Sequence, residues 1–152
     1  MSYFKFINIG LVAIYAIGSG LWVNSGDSWY RSLNAPSWQP PDWVFGVVWP
    51  YNFTVLGIAG WMISNHLDKR WNLSWSVIFA ITIMAALVWS YQFYTPHNLG
   101  IATIALITTS LFTLPLLLIA FKTSIYLGIT LLPFQIWVSL ASALSYNYWK
   151  LN

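Results

Sequence analysis

Five stretches of this chain, each long enough to cross a lipid bilayer, contain no charged side chain: residues 6–23, 43–63, 75–94, 99–121 and 125–149. A helix needs roughly 20 mostly apolar residues to cross about 30 Å of hydrocarbon. Backbone polar groups in lipid must be satisfied within the segment, and the runs lack the alternation of barrel strands, so helices are expected. The predicted fold is an all-α integral membrane protein, a bundle of five transmembrane helices forming a single domain over residues 1–152. Pro115 and Pro133 fall inside spans four and five, where neighbouring helices must cover the carbonyls they free. The first run follows Lys5 and has the look of a signal peptide, but its apolar stretch is long for one; we read it as a retained helix.

Charge excludes most soluble functions. Of 152 residues 59% are hydrophobic and 6% charged, against about a quarter charged in a soluble domain. A chain so poor in charge cannot cover its own surface in water. The net charge of +3 comes without a basic stripe, since Lys69-Arg70 is the one adjacent basic pair; no nucleic-acid partner is expected. There is no Cys, hence no thiolate chemistry. Five crossings put Lys5, Lys69, Arg70 and Lys122 on one side and Arg31 and Lys150 on the other. By the positive-inside rule the N-terminus is cytoplasmic and the C-terminus external.

The same topology leaves little room for catalysis. His66 and His97 fall in loops on opposite faces, a bilayer apart, and share neither a metal ion nor a proton. No ionisable residue sits at mid-membrane depth as a proton relay requires. We therefore expect no metal site and no catalytic acid–base residues. Span five offers mild polarity instead: Gln135, Ser139, Ser142 and Tyr146 share one helical face, and Trp137, Ala141, Leu144 and Tyr148 form the stripe beside it. Such faces serve close helix packing or line a small-molecule cavity with aromatic walls. Gly18, Gly20, Gly57 and Gly60 suggest close helix contacts within the bundle or at a dimer seam.

The long loop, residues 24–42, leads into WYRSLNAPSWQPPDWVFGVVWPYNF, from Trp29 to Phe53. Eleven Trp occur in the chain. The interfacial belt accounts for Trp71, Trp75 and Trp149, but not for four at 29, 38, 43 and 49 around a Pro-stiffened loop. Rings gathered over one mouth of a bundle suit planar, ring-fused ligands. This stretch resembles the signature of the TspO/MBR family, which includes bacterial tryptophan-rich sensory proteins and the mitochondrial translocator protein or peripheral benzodiazepine receptor. The matching residues are Trp29-Tyr30, Ser32-Leu33, Pro36-Ser37-Trp38, Pro40-Pro41, Trp43 and Trp49. A second match runs from Leu132-Pro133-Phe134 through Trp137, Ala141, Leu144, Tyr146 and Trp149 to Asn152.

The resemblance implies a bacterial cell-membrane protein, commonly a homodimer, that binds apolar small molecules: porphyrins such as protoporphyrin IX or haem, sterols and benzodiazepine-type ligands. No cofactor is implied beyond such a ligand. The implied pocket lies under the long loop and takes Ser19, Trp22, Trp38, Phe45, Gly46, Trp49, Trp89, Trp137, Ala141 and Leu144. Some bacterial relatives are reported to degrade porphyrin photo-oxidatively, a role that would fall to Trp49 and Trp137. A receptor or sensor-type binding protein is the leading expectation, with light-dependent degradation or transport of tetrapyrroles or lipids as alternatives. Leu144, Tyr146 and Lys150 also fit a weak cholesterol-contact pattern. Departures from the family are Thr82 and Ala86 for Gln and Asn, Ala105 for a polar residue, Ser145 for Asn, and Ile101 for a Trp. They point to more apolar ligands or looser recognition.

Overall fold

The computed structural model describes residues 2–23 and 27–152. Residues 24–26, which open the long loop, and the side chain of Asp27 lie outside the described residues. Six helices follow in order: α1 (Ser2–Val23), α2 (Asp27–Ser32), α3 (Asp42–His66), α4 (Lys69–Tyr94), α5 (Leu99–Thr123) and α6 (Ile125–Leu151). Five of them are long and apolar enough to span a membrane, and α2 is a short helix within the long loop. The chain is an all-α integral membrane bundle.

The spanning helices run past the charge-free stretches at most of their ends. Asp42 opens α3, Lys69 and Arg70 open α4, and Lys150 closes α6, because long or terminal charged groups reach water while their stems cover apolar surface. The loop expected over residues 64–74 shrinks to Leu67 and Asp68. The Asp68 carboxylate accepts the Trp71 backbone N–H at 3.1 Å, so the charged cluster read as a loop is a helix cap followed by a first turn. Asn98 caps α5 in the same way, from Ile101 N–H at 3.1 Å. His97 just before it has φ 59, the left-handed residue that this tight corner requires.

Packing joins α4 to α5 and α5 to α6 most extensively, with α1 against α3 and α4, and α3 reaching α6. Leu56, Ile63, Phe79, Leu116 and Phe134 fill the centre. Trp75, expected in the interfacial belt, is fully buried there with its ring 6.0 Å from Phe79. It is a core residue, placed by the inward face of α4 and not by a preference for the lipid headgroups. Trp149 stays half exposed, and the Lys122 ammonium lies 4.8 Å from the Trp71 ring.

Hydrogen bonds place the polar stripe of α6. The Gln135 amide donates to the Ser110 carbonyl at 3.2 Å and accepts the Thr113 hydroxyl at 2.6 Å. The Ser142 hydroxyl donates to the Leu106 carbonyl at 3.0 Å. Gln135 and Ser142 therefore knit α6 to α5, and Ser139 bonds Ser110 across the same seam at 3.0 Å; Tyr146, the last member, points outward. On the other side of the bundle the Asn8 amide, fully buried, donates to the Gly60 carbonyl at 3.4 Å and accepts the Ser76 hydroxyl at 2.9 Å. One side chain thus ties α1, α3 and α4 together.

Candidate functional site

Beneath the long loop the helices leave a cavity of about 630 Å³, within the 300–1,000 Å³ usual for small-molecule sites. Its deeper wall is aromatic because four helices turn rings to one space. Trp49 of α3 stacks on Phe53 at 5.6 Å and meets Tyr15 of α1 edge-on at 5.9 Å. Phe45 stands edge-on to Trp137 of α6 at 5.2 Å. From α4, Trp89 sits 5.7 Å from Phe93. The Trp89 indole N–H donates to the Ser145 hydroxyl at 3.3 Å, and Ser145 bonds Thr103 at 3.1 Å. The residue standing where the family pattern has Asn thus fixes the plane of a wall tryptophan. The Trp137 indole is buried and its N–H has no hydrogen-bond partner among the described residues.

Of the residues expected in the site, Ser19, Phe45, Trp49, Trp89, Trp137, Ala141 and Leu144 come together on this wall. The whole stripe Trp137, Ala141, Leu144 and Tyr148 faces it, one helical face round from the hydroxyl stripe that bonds α5. Trp22 lies off the wall, edge-on to Tyr91 at 5.7 Å. Trp38 is exposed on the loop, and Gly46 points outward from α3; neither lines the cavity. The cholesterol-pattern residues do not share a surface: Leu144 is buried facing the cavity, whereas Tyr146 and Lys150 are exposed, the ammonium 5.7 Å from the Tyr146 ring. Thr82, buried, donates to its own helix at Ile78 O, and Ala86 presents a methyl group to the cavity.

The mouth is polar, and the expected set omits it. Tyr30, Arg31, Gln39, Asp42 and Tyr148 line it. The Tyr148 hydroxyl donates to the Gln39 side-chain carbonyl, and the Gln39 amide donates to the Tyr30 hydroxyl at 3.1 Å. Burial, then the bond to Tyr148, pushes the Tyr30 phenol well above its ordinary pKa, so it stays neutral and able to donate. Nearby, the Asn34 N–H donates to Asn152 Oδ1 at 2.8 Å and the Asn152 amide returns a bond to Asn34 O at 3.2 Å. Trp29 lies flat on His97, centroids 3.8 Å apart and 7° from parallel. These contacts strap the loop to the last turn of α6 and to the α4–α5 corner. Apart from the Gln39–Tyr30 bond within the loop, each joins residues 68 or more positions apart, which no local pattern announces.

Comparison with known proteins agrees with this architecture. Residues 7–150 match the model of the TspO/MBR family. The tryptophan-rich protein TspO of Chlorobaculum tepidum is 30% identical, over 95% of this chain and 92% of that one. Protein CrtK of Rhodobacter capsulatus is 26% identical over 96% and 95%, and the human translocator protein 25% identical over 90% and 82%.

Proposed function

The chain belongs to the TspO/MBR family, and on that premise we propose that it is a sensor-type membrane receptor. Its ligands would be porphyrins and other apolar, ring-fused molecules. The observation that carries this reading is the cavity itself: tryptophans 49, 89 and 137 wall one space under a strapped loop. Offset and edge-on contacts with such rings are worth about 0.5–1.5 kcal/mol each beyond area burial. The apolar Ala86 and the self-satisfied Thr82 favour a ligand whose body has few polar groups, since an amide there would be left unpaired against a plain ring.

Titrating the purified protein with protoporphyrin IX or haem should quench tryptophan fluorescence saturably. The double variant Trp49→Phe, Trp137→Phe should lose much of that quenching. Quenching that never saturates, or that the double variant leaves unchanged, would sink the proposal. Because both indoles line the same cavity, a second reading is light-dependent loss of bound porphyrin with dioxygen as oxidant and an indole as electron donor. Illuminating the same samples separates the two, since porphyrin lost no faster than in detergent alone leaves binding only.

We orient the protein with its N-terminus in the cytoplasm. Lys5, its ammonium 4.6 Å from the Trp61 ring, shares one end of the bundle with Lys69, Arg70 and Lys122, while Arg31 and Lys150 occupy the other. The cavity mouth then opens outside the cell. A reporter fused after Asn152 should be active outside; a cytoplasmic signal would reverse the assignment.

A further inference from the structure

We propose that apolar ligands enter this cavity sideways, from the bilayer through the seam between α3 and α6, with Tyr51 as its latch; the inference rests on the binding reading above. The five spanning helices close a ring in the order α1, α3, α6, α5, α4, and packing around it is sparsest where α3 meets α6. Buried polar side chains pin the other seams. Asn8 ties α1 to α3 and α4, and the Ser90 hydroxyl of α4 donates to the Ser19 carbonyl of α1 at 3.3 Å. Gln135, Ser142 and Ser145 join α6 to α5. Across α3–α6 a single hydrogen bond runs among the described residues, from the Tyr51 hydroxyl to the Thr130 carbonyl at 2.7 Å.

Both helices of that seam are also weakened from within. Pro50 in α3 and Pro133 in α6 each remove one rung of the helix ladder, leaving the Gly46 and Ile129 carbonyls without their amide partners, and helices bend at such places. Each proline lies within about a turn of a wall tryptophan, Trp49 or Trp137. Thr130, which Tyr51 holds, belongs to the turn that Pro133 loosens. Toward the loop end the seam is closed by Phe45, edge-on to Trp137 at 5.2 Å, an apolar contact that an apolar molecule replaces in kind. Entry past the loop requires parting the Tyr148–Gln39–Tyr30 chain and the Asn34–Asn152 pair. A molecule with an apolar body is concentrated in hydrocarbon, on the side that the α3–α6 seam faces and the loop does not.

The test uses the full chain in nanodiscs, with stopped-flow quenching of tryptophan fluorescence by protoporphyrin IX giving the rates of binding and release. Tyr51 does not line the cavity, and its bond holds in the closed seam whether the cavity is empty or filled. Tyr51→Phe should therefore speed both rates together, about threefold, the typical worth of one hydrogen bond between membrane helices, and leave the affinity unchanged. The chain has no Cys, so the double variant Tyr51→Cys, Thr130→Cys can be bridged by a short bis-electrophile, which should slow both rates about tenfold or more by holding the gate shut. Tyr51 and Thr130 are exposed, so the variants should fold. Asn152→Ala, which frees the loop from α6, should leave the rates alone. Rates unmoved by Tyr51→Phe or by bridging, faster exchange in Asn152→Ala, or an affinity change carried by one rate alone would each overturn the portal and leave the cavity reading intact. If the unsubstituted protein shows no saturable quenching, the cavity reading fails and this inference fails with it.

Discussion

Replacing Gly60 by alanine should destabilise the bundle by about 2–4 kcal/mol, the sum of an overpacked helix contact and weakened buried bonds. A Cβ at Gly60 would stand 2.6 Å from Asn8 Cβ and 3.1 Å from Asn8 Cγ. Asn8 Cβ is one bond from the α1 backbone, so no rotamer change removes it and α1 itself must move. That movement would strain the Asn8 bonds to Gly60 O and Ser76, each worth roughly 0.6 kcal/mol on average between membrane helices. The gain in helix propensity, up to about 1 kcal/mol for Gly to Ala, offsets only part of this. Other glycines supply the controls. At Gly18 the new atom meets Leu87 Cδ2 at 2.8 Å, the free end of a side chain that can swing aside, and at Gly57 it meets nothing within 4 Å. Unfolding in mixed micelles should rank Gly60→Ala well below Gly57→Ala. Equal stabilities would remove Asn8 as the node joining α1, α3 and α4.

That node marks the boundary of what the sequence discloses. Asn8 is legible as a polar interruption of span one and Gly60 as a small residue in span two, yet nothing local says that they meet. The spans themselves are legible because lipid enforces long charge-free runs and forbids unsatisfied backbone. Their ends are less so: charge at Lys69 and Arg70 suggests a loop, whereas Asp68 caps the helix that begins with them. The two stripes of α6 can be drawn from spacing alone, but which one meets α5 and which meets the cavity depends on helix rotation, a property of the packed bundle. The Trp-rich loop announces an aromatic site through its family signature. The polar mouth goes unannounced, because Gln39 meets Tyr148 and Asn34 meets Asn152 across more than 100 residues.

Helix rotation also sets the expected effect of Ala141→Trp, which should lower affinity for protoporphyrin IX by about a hundredfold or more, some 2.7 kcal/mol, without unfolding the protein. Ala141 is the small member of the cavity-facing stripe, one turn from Trp137 and three residues from Leu144. Helical side chains lean toward the N-terminus of their helix, so an indole at 141 would lie over Trp137 and occupy the deeper part of the space that a ring-fused ligand needs. Stability should hold or rise, because lining atoms that face empty space gain dispersion contacts. Ala143, exposed on the same helix, provides the comparison: Ala143→Trp adds the same indole outside the cavity and should bind as the unsubstituted protein does. Circular dichroism and thermal melting verify the fold of both variants, and fluorescence titration gives their affinities. Undiminished binding by Ala141→Trp would put the ligand elsewhere, for which the other concave surface described is the outer groove between His97 and Trp149. Loss in both variants would point to a general disturbance of α6 and not to a filled cavity. Only selective loss at 141 ties the ligand to the stripe that begins at Trp137, the same wall on which the light-dependent reading depends.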